Sequence, residues 1–177
     1  AMPEPEPSEI MLRVAYAGVN RADLLQAQGL YPPPAGASTT LGLECSGWRT
    51  DTSKPVMALL PGGGYAEYCT VDEACVLEIP DDLPLSSAAG FMETFITAYL
   101  NIFELGSIER GQRILVHGGG SGIGTSAIQL CREAGVEIIV TAGSDAKCEA
   151  ALKLEPNNAK AFKASAKEAS PSWLLWE

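Results

Sequence analysis

The residues best placed to do chemistry are closely spaced glycines, in the run Gly119-Gly-Ser121-Gly122-Ile123-Gly124. A nucleotide diphosphate is bound by open backbone N–H groups at the start of a helix, where bulky side chains would block its approach. We expect Gly119 to permit a tight turn, Gly122 to admit the phosphates, and Gly124 to let the helix pack closely on the strand. Ser121 replaces the middle glycine of the usual G-x-G-x-x-G pattern, so this is a variant. The alternative is an ordinary turn between a strand and a helix.

A second polar group follows the next apolar stretch, which ends Thr141-Ala-Gly143-Ser144, with Lys147 one turn later. An acidic side chain here would bind a ribose 2′-hydroxyl, whereas a small hydroxyl with a cation suits a 2′-phosphate. Ser144 and Lys147 therefore favour NADPH, and Gly143 is included in the predicted cofactor site. Two alternatives stay open. Asp145 could itself be the ribose-binding acid, and Ser144 could simply cap the following helix.

The metal-binding residue types are too sparse to predict a zinc centre. His117 is the single histidine, and the five cysteines are scattered without a C-x-x-C pair. An odd number of scattered thiols indicates a reducing compartment. We expect His117 to have a local structural role rather than to transfer a proton.

The elements that must position these residues form two lobes. Residues 1–84 contain short apolar runs separated by Gly and Pro turns, which predicts a β-rich lobe. Residues 85–155 predict a long helix that ends at Gly106, then a strand, the glycine loop, a helix, a second strand and a third helix. Residues 156–177 are expected to be a tail, for which a solvated helix is the simplest interpretation.

The composition describes a folded, acidic chain. Its 177 residues are 46% hydrophobic, and 12 Lys plus Arg against 22 Asp plus Glu give a net charge of −10. This charge leaves no broad basic face, so a nucleic-acid partner is not expected. No apolar run approaches the roughly 18 residues of a membrane span, and the N-terminus lacks the pattern of a signal peptide. The expected location is the cytoplasm.

Five sequence blocks, in order, resemble the zinc-free quinone oxidoreductase branch of the medium-chain dehydrogenase/reductases. The likeness is strongest to the p53-inducible quinone oxidoreductase type. It extends over most of the chain, and the asparagine block and the triple-proline loop are its most specific parts. The blocks are Asn20-Arg-Ala-Asp23, Gln28-Gly-Leu-Tyr-Pro-Pro-Pro-Ala-Gly36, Leu41-Gly-Leu-Glu44-Cys-Ser-Gly47, Met57-Ala-Leu-Leu-Pro-Gly-Gly-Gly64-Tyr-Ala-Glu-Tyr and His117-Gly-Gly-Gly-Ser-Gly-Ile-Gly124.

The resemblance implies an α/β protein with a GroES-like β-rich lobe and a partial Rossmann dinucleotide-binding lobe. It further implies NADPH as cofactor, hydride transfer to a quinone or similar electrophilic carbonyl, no metal, and a homodimer. The site residues carried over by position are Asn20 and Thr97 for the nicotinamide end, Tyr31 for the substrate pocket, Gly119, Gly122, Ile123 and Gly124 for the pyrophosphate, and Ser144 and Lys147 for the 2′-phosphate. Ser121 and Gly143 are also predicted to bind the cofactor.

Structural roles for these residues stay open as alternatives. Asn20 could bond a turn, Thr97 could bond back within its helix, and Glu44 could pair with a basic residue. The sequence also lacks an initial strand of the family, has a shorter hairpin after Gly47, and lacks the later βα units. Three explanations for these differences stay open: the chain is a truncated product, it is a fragment of a longer protein, or loops have been omitted from the sequence. A second hypothesis is therefore a catalytically inactive relative that binds a nucleotide or a protein partner.

Overall fold

The computed structural model describes residues 2–155 and 157–164, which fall into two units, residues 1–93 and 94–177. The sequence places the lobe boundary after residue 84, whereas the structure groups 85–93 with the first unit. The helix α2 (Leu85–Ala88) explains this, because it packs on the first sheet, where the Ser46 hydroxyl donates to the Leu85 carbonyl at 2.7 Å.

The first unit is built on a five-stranded antiparallel sheet. In chain order its elements are β1 (Glu9–Ala17), α1 (Arg21–Ala27), β2 (Glu44–Arg49), β3 (Pro55–Leu59), β4 (Tyr68–Asp72), a 3-10 turn (Glu73–Cys75), β5 (Val76–Glu78) and α2. The strands are ordered β4-β1-β2-β3-β5. This matches the predicted lobe of short strands. Its interior holds two groups of buried residues, Leu12, Cys45, Val56, Ala58, Leu60, Cys69 and Val71 in one and Met57, Ile79, Ala88 and Met92 in the other.

The second unit is a parallel sheet with helices, entered through α3 (Met92–Tyr99), in which the division between the units falls. Its further elements are a π-helical stretch (Leu100–Leu105), β6 (Arg113–His117), α4 (Gly122–Ala134), β7 (Glu137–Ala142), α5 (Asp145–Leu154) and β8 (Ala159–Lys163). The strand order is β6-β7-β8, all parallel. The alternation of strand and helix confirms the predicted α/β class.

Two predictions for this unit were wrong. The long helix expected from residue 86 to Gly106 is divided into α2, α3 and the π-helical stretch, although the Gly106 N–H does close its end by donating to the Asn101 carbonyl. The expected helical tail begins instead with β8, whose pairing with β7 buries Ala159. The remainder of that tail, residues 165–177, lies outside the described residues. No helix in the described ranges is long and apolar enough to cross a membrane.

Candidate functional site

The glycine loop lies between the end of β6 and the start of α4, at the carboxyl edge of the parallel sheet. Gly118 has a φ of 78°, so the turn needs glycine there and not at Gly119 as we predicted. Gly119 is required for packing, because a Cβ at this position would lie 2.5 Å from the Val140 Cβ on β7. Its N–H also donates to the Thr141 carbonyl at 2.8 Å. The loop is thus seated directly on the neighbouring strand.

The other two glycines let helices approach. A Cβ on Gly124 would lie 2.4 Å from the Gly118 carbonyl oxygen, so glycine is needed there for the start of α4 to pack on the loop itself, rather than on the strand as we predicted. A Cβ on Gly122 would lie 2.9 Å from the Thr94 methyl group on α3. Nearby, the Ser126 hydroxyl donates to the Thr94 hydroxyl at 2.9 Å. Gly122 therefore has a packing role that the sequence pattern did not reveal, and its role toward phosphate stays a prediction.

Backbone donors are left open at the start of α4. The Ser121 hydroxyl caps the helix by accepting from the Gly124 N–H at 3.0 Å. Within the described part of the chain, no acceptor meets the N–H groups of Gly120, Gly122 and Ile123. Because a helix N-terminus also carries partial positive charge, three open donors there can bind an anion such as a diphosphate.

The residues after β7 lie beside this loop. A Cβ on Gly120 would be 3.2 Å from the Lys147 side-chain Cδ, so the Lys147 stem runs along the loop. The Lys147 ammonium has no hydrogen-bond or ion-pair partner among residues 2–155 and 157–164. Ser144 caps α5 by accepting from the Lys147 N–H, as the alternative interpretation predicted. No atom lies within 4 Å of a Cβ placed on Gly143, so this corner is open.

The Asp145 carboxylate is paired with a lysine and is therefore not an isolated negative charge. Lys163, at the end of β8, donates from Nζ to the Asp145 Oδ2 at 2.8 Å. This bond holds the pKa of Asp145 below its ordinary value and raises the pKa of Lys163. The sequence analysis missed Lys163, because its segment was interpreted as a helical tail, and only the parallel pairing of β8 brings it to this corner.

His117 ends β6 directly opposite Thr141 of β7, and the His117 Nδ1 lies 2.9 Å from the Thr141 hydroxyl. This contact agrees with the local role expected for His117.

In the first unit, Asn20 is tied to two buried carboxylates. Its Nδ2 donates to the Glu44 Oε1 at 2.7 Å, and its backbone N–H donates to the Asp23 Oδ2 at 2.8 Å. Glu44 is only 1% exposed, and its second oxygen accepts from the Glu93 N–H at 3.0 Å. In the described residues Glu44 meets amide donors and no basic side chain, so the ion pair kept as an alternative was wrong. Gly18 makes room for it, because a Cβ there would lie 2.2 Å from the Glu44 Oε1.

Asp23 is equally buried, at 2% exposure, and also accepts from the Gly42 N–H at 3.1 Å. Burial, followed by a hydrogen bond to Asp23, raises the pKa of Tyr65 to about 12. Burial and the charges of Glu44 and Asp23 raise the pKa of Glu93. In the described ranges no three His, Cys, Asp or Glu side chains are grouped so that they could hold a metal ion.

The structure brings together one part of the predicted site. In the second unit the glycine loop, Gly143, Ser144 and Lys147 share one corner. Asn20 lies with Glu44 in the first unit, and Tyr31 is 48% exposed in the loop that follows α1. Thr97 lies on α3, where its carbonyl accepts from the Asn101 Nδ2 at 2.8 Å.

No protein-family model matches this chain, but curated proteins do match it by sequence. A phenolphthiocerol/phthiocerol polyketide synthase of Mycobacterium tuberculosis is 34% identical over 159 residues, covering 85% of this chain and 7% of that protein. The human synaptic vesicle membrane protein VAT-1 homolog-like is 36% identical over 140 residues, covering 74% of this chain and 33% of that protein. The chain thus spans a third or less of the length of these relatives.

Solved structures match nearly the whole chain. A quinone oxidoreductase from Thermus thermophilus, solved also with NADPH, has a TM-score of 0.80 and 31% identity, covering 91% of this chain and 54% of its own. The CurK enoyl reductase has a TM-score of 0.83 and 30% identity, covering 94% and 54%. The predicted fold class, an α/β protein with a GroES-like lobe and a Rossmann-like lobe, is therefore confirmed. The chain has the α/β fold of the medium-chain dehydrogenase/reductases, and its homologues are quinone oxidoreductase and VAT-1-like members of that superfamily.

Proposed function

We propose that this chain binds NADPH and belongs to a zinc-independent oxidoreductase that reduces a quinone or a similarly electrophilic carbonyl. The observation that carries the proposal is the corner formed by the start of α4 and the adjacent Lys147. In the described part of the chain, the N–H groups there have no acceptor and Lys147 has no ion-pair partner. The fold is that of oxidoreductases, and the Thermus thermophilus relative has been solved with NADPH.

The open donors fit a diphosphate. The N–H groups of Gly120, Gly122 and Ile123 would donate to its oxygens, and Ser121 keeps the helix start in place by capping it. The bare Gly143 position leaves space at the end of β7. NADPH supplies the hydride when bound, and the residues of this corner hold and orient its phosphates.

The charges at the same corner favour NADPH over NADH. Lys147 has no ion-pair partner among the described residues, and Lys163 offsets the charge of Asp145, an acidic residue of the same corner that would repel a 2′-phosphate. Ser144 caps α5 with its hydroxyl oxygen and keeps its O–H as a donor toward a phosphate. We therefore assign the 2′-phosphate to Ser144 and Lys147.

Asn20, Tyr31 and Thr97 remain the proposed contacts of the nicotinamide and the substrate, on the resemblance alone. Glu44 would act on Asn20 as a positioning residue, because accepting from its Nδ2 fixes the orientation of the amide. Zinc independence is supported by the hydrogen bonds of Asp23 and Glu44. All four of their carboxylate oxygens already accept N–H groups and so are not free to bind a metal ion. A homodimer and a cytoplasmic location are also proposed, as the family resemblance and the composition imply.

The proposal is tested by adding NADPH to the full chain and measuring the melting temperature, since a ligand bound only by the folded protein stabilises it. We expect NADPH to raise the melting temperature and a quinone then to oxidise the NADPH, which is followed by loss of its absorbance. Stabilisation without oxidation of NADPH would favour the second function, a nucleotide-binding module without catalysis. No stabilisation by either NADPH or NADH would refute the cofactor site itself.

A further inference from the structure

Two cysteines lie side by side inside the first unit. Neither is itself assigned to the cofactor, and Cys45 directly follows Glu44, which accepts from Asn20. Cys45 lies on β2 and Cys69 on β4, and these strands pair with opposite sides of β1. Their Sγ atoms are 3.9 Å apart, and both side chains are almost fully buried, at 0% and 3% exposure. Both are free thiols. A disulfide needs its sulfurs about 2.05 Å apart, so this pair has to close by less than about 2 Å.

We propose that Cys45 and Cys69 form a reversible oxidation site, at which a hydroperoxide converts the two thiols to a disulfide within the chain. The geometry supports this because each thiol is the direct neighbour of the other, so an oxidised sulfur has its reducing partner already in place. The two residues are 24 positions apart in the sequence, and no sequence motif links them. Only the folding of both strands around β1 makes them a pair.

Local opening of the sheet edge would give access to the buried sulfurs. β4 is the outer strand in the order β4-β1-β2-β3-β5, and β1 is its strand partner among the described residues. Outer strands open locally more readily than central ones, so a molecule as small as hydrogen peroxide can reach Cys69 without global unfolding. The hydrogen bond between the thiols lowers the pKa of Cys69, while the same bond and burial raise the pKa of Cys45. Cys69 is therefore the first nucleophile.

The chemistry balances in two steps. The Cys69 sulfur attacks one peroxide oxygen and becomes a sulfenic acid, while the other oxygen leaves with the thiol proton as water. The Cys45 sulfur then attacks the sulfenic sulfur, and the departing hydroxide takes the Cys45 proton to form a second water. The two sulfurs lose two electrons and the peroxide gains two. A thiol reductant restores both thiols by exchange.

The test treats the full chain with a small excess of hydrogen peroxide, then blocks the remaining thiols with N-ethylmaleimide in denaturant and measures intact mass and linked peptides. We expect the alkylated cysteines to fall from five to three, a peptide linked through Cys45 and Cys69, and recovery of all five after dithiothreitol. The wild-type peptide map decides the question even if a variant folds poorly.

Two variants sharpen the result. Cys69→Ser should abolish the link, whereas Cys131→Ser, which removes a buried cysteine of the second unit, should leave it unchanged. Five cysteines that stay alkylatable, a link through other cysteines, or a link that forms only after urea unfolding would each overturn the proposal. None of these outcomes depends on whether the chain binds NADPH.

Discussion

Replacing Lys147 by alanine should weaken NADPH binding without weakening the fold. Lys147 is exposed, and its ammonium has no partner in the described chain, so the folded protein loses no hydrogen bond or ion pair when the charge is removed. In the complex, the ammonium would face a 2′-phosphate that carries more than one negative charge. An exposed ion pair contributes up to about 1 kcal/mol, and a doubly charged phosphate brings this to about 1.4 kcal/mol. The expected loss is therefore about tenfold in NADPH affinity.

The assay is isothermal titration with NADPH and with NADH, together with the melting temperature of the nucleotide-free protein. NADH lacks the 2′-phosphate, so its affinity should change less than about twofold. Lys153→Ala is the matched control. Lys153 is also exposed on α5 and without an ion pair in the described chain, but it lies about 9 Å further along the helix axis.

Equal losses for NADPH and NADH would refute the assignment of Lys147 to the 2′-phosphate, since the cation would then act on a part common to both nucleotides. An equal effect of Lys153→Ala would show that only the general charge of the protein matters. A fall in the melting temperature of the nucleotide-free variant would mean that Lys147 stabilises the fold itself.

Three further predictions concern the glycine corner of the second unit and Tyr65 of the first. Gly119→Ala should lower the free energy of unfolding, measured by urea titration, by about 1–3 kcal/mol, because its Cβ would overlap a β7 side chain. The control Gly143→Ala should change it by less than about 0.5 kcal/mol, because the position is open. Equal effects of the two substitutions would contradict this prediction. Lys163→Ala should free the Asp145 carboxylate and weaken NADPH relative to NADH about two- to fivefold in the same titration, and an unchanged ratio would count against the shielding role. The pKa of Tyr65 rises to about 12 in the folded protein, against about 10 in the unfolded chain. The stability that this shift contributes is fully present below about pH 10 and is lost as the pH rises toward about 12. Tyr65→Phe should therefore flatten the stability-versus-pH curve between these two values. Parallel curves would contradict it.

The sequence predicted the glycine corner well because its signals are local. The apolar run of β6, the glycines and the helical spacing of α4 follow one another without interruption, and each element was confirmed. The roles within the loop were harder to predict. Any of the three successive glycines could adopt the backbone conformation of the turn. Only the fold shows that Gly118 has the positive φ, while Gly119 packs on Val140.

What the sequence missed depends on contacts between distant segments. The Ala and Lys content around β8 favours a helix by intrinsic propensity, and pairing with β7 overrides that preference. Lys163 was missed with it. The partner of Glu44 was likewise unpredictable, because a buried carboxylate more often meets a cation than the side-chain amide of Asn20 and a backbone N–H.

The close fit of Gly18 against Glu44 carries a consequence for how this protein varies through evolution. Any side chain at position 18 would occupy the space of the Glu44 carboxylate, and Ala89 closes the same space from another direction. Positions 18 and 44 should therefore change together. Homologues with a larger residue at position 18 should have a shorter one at position 44. They should therefore lack the hydrogen bond that the Asn20 amide donates to Glu44 in this protein.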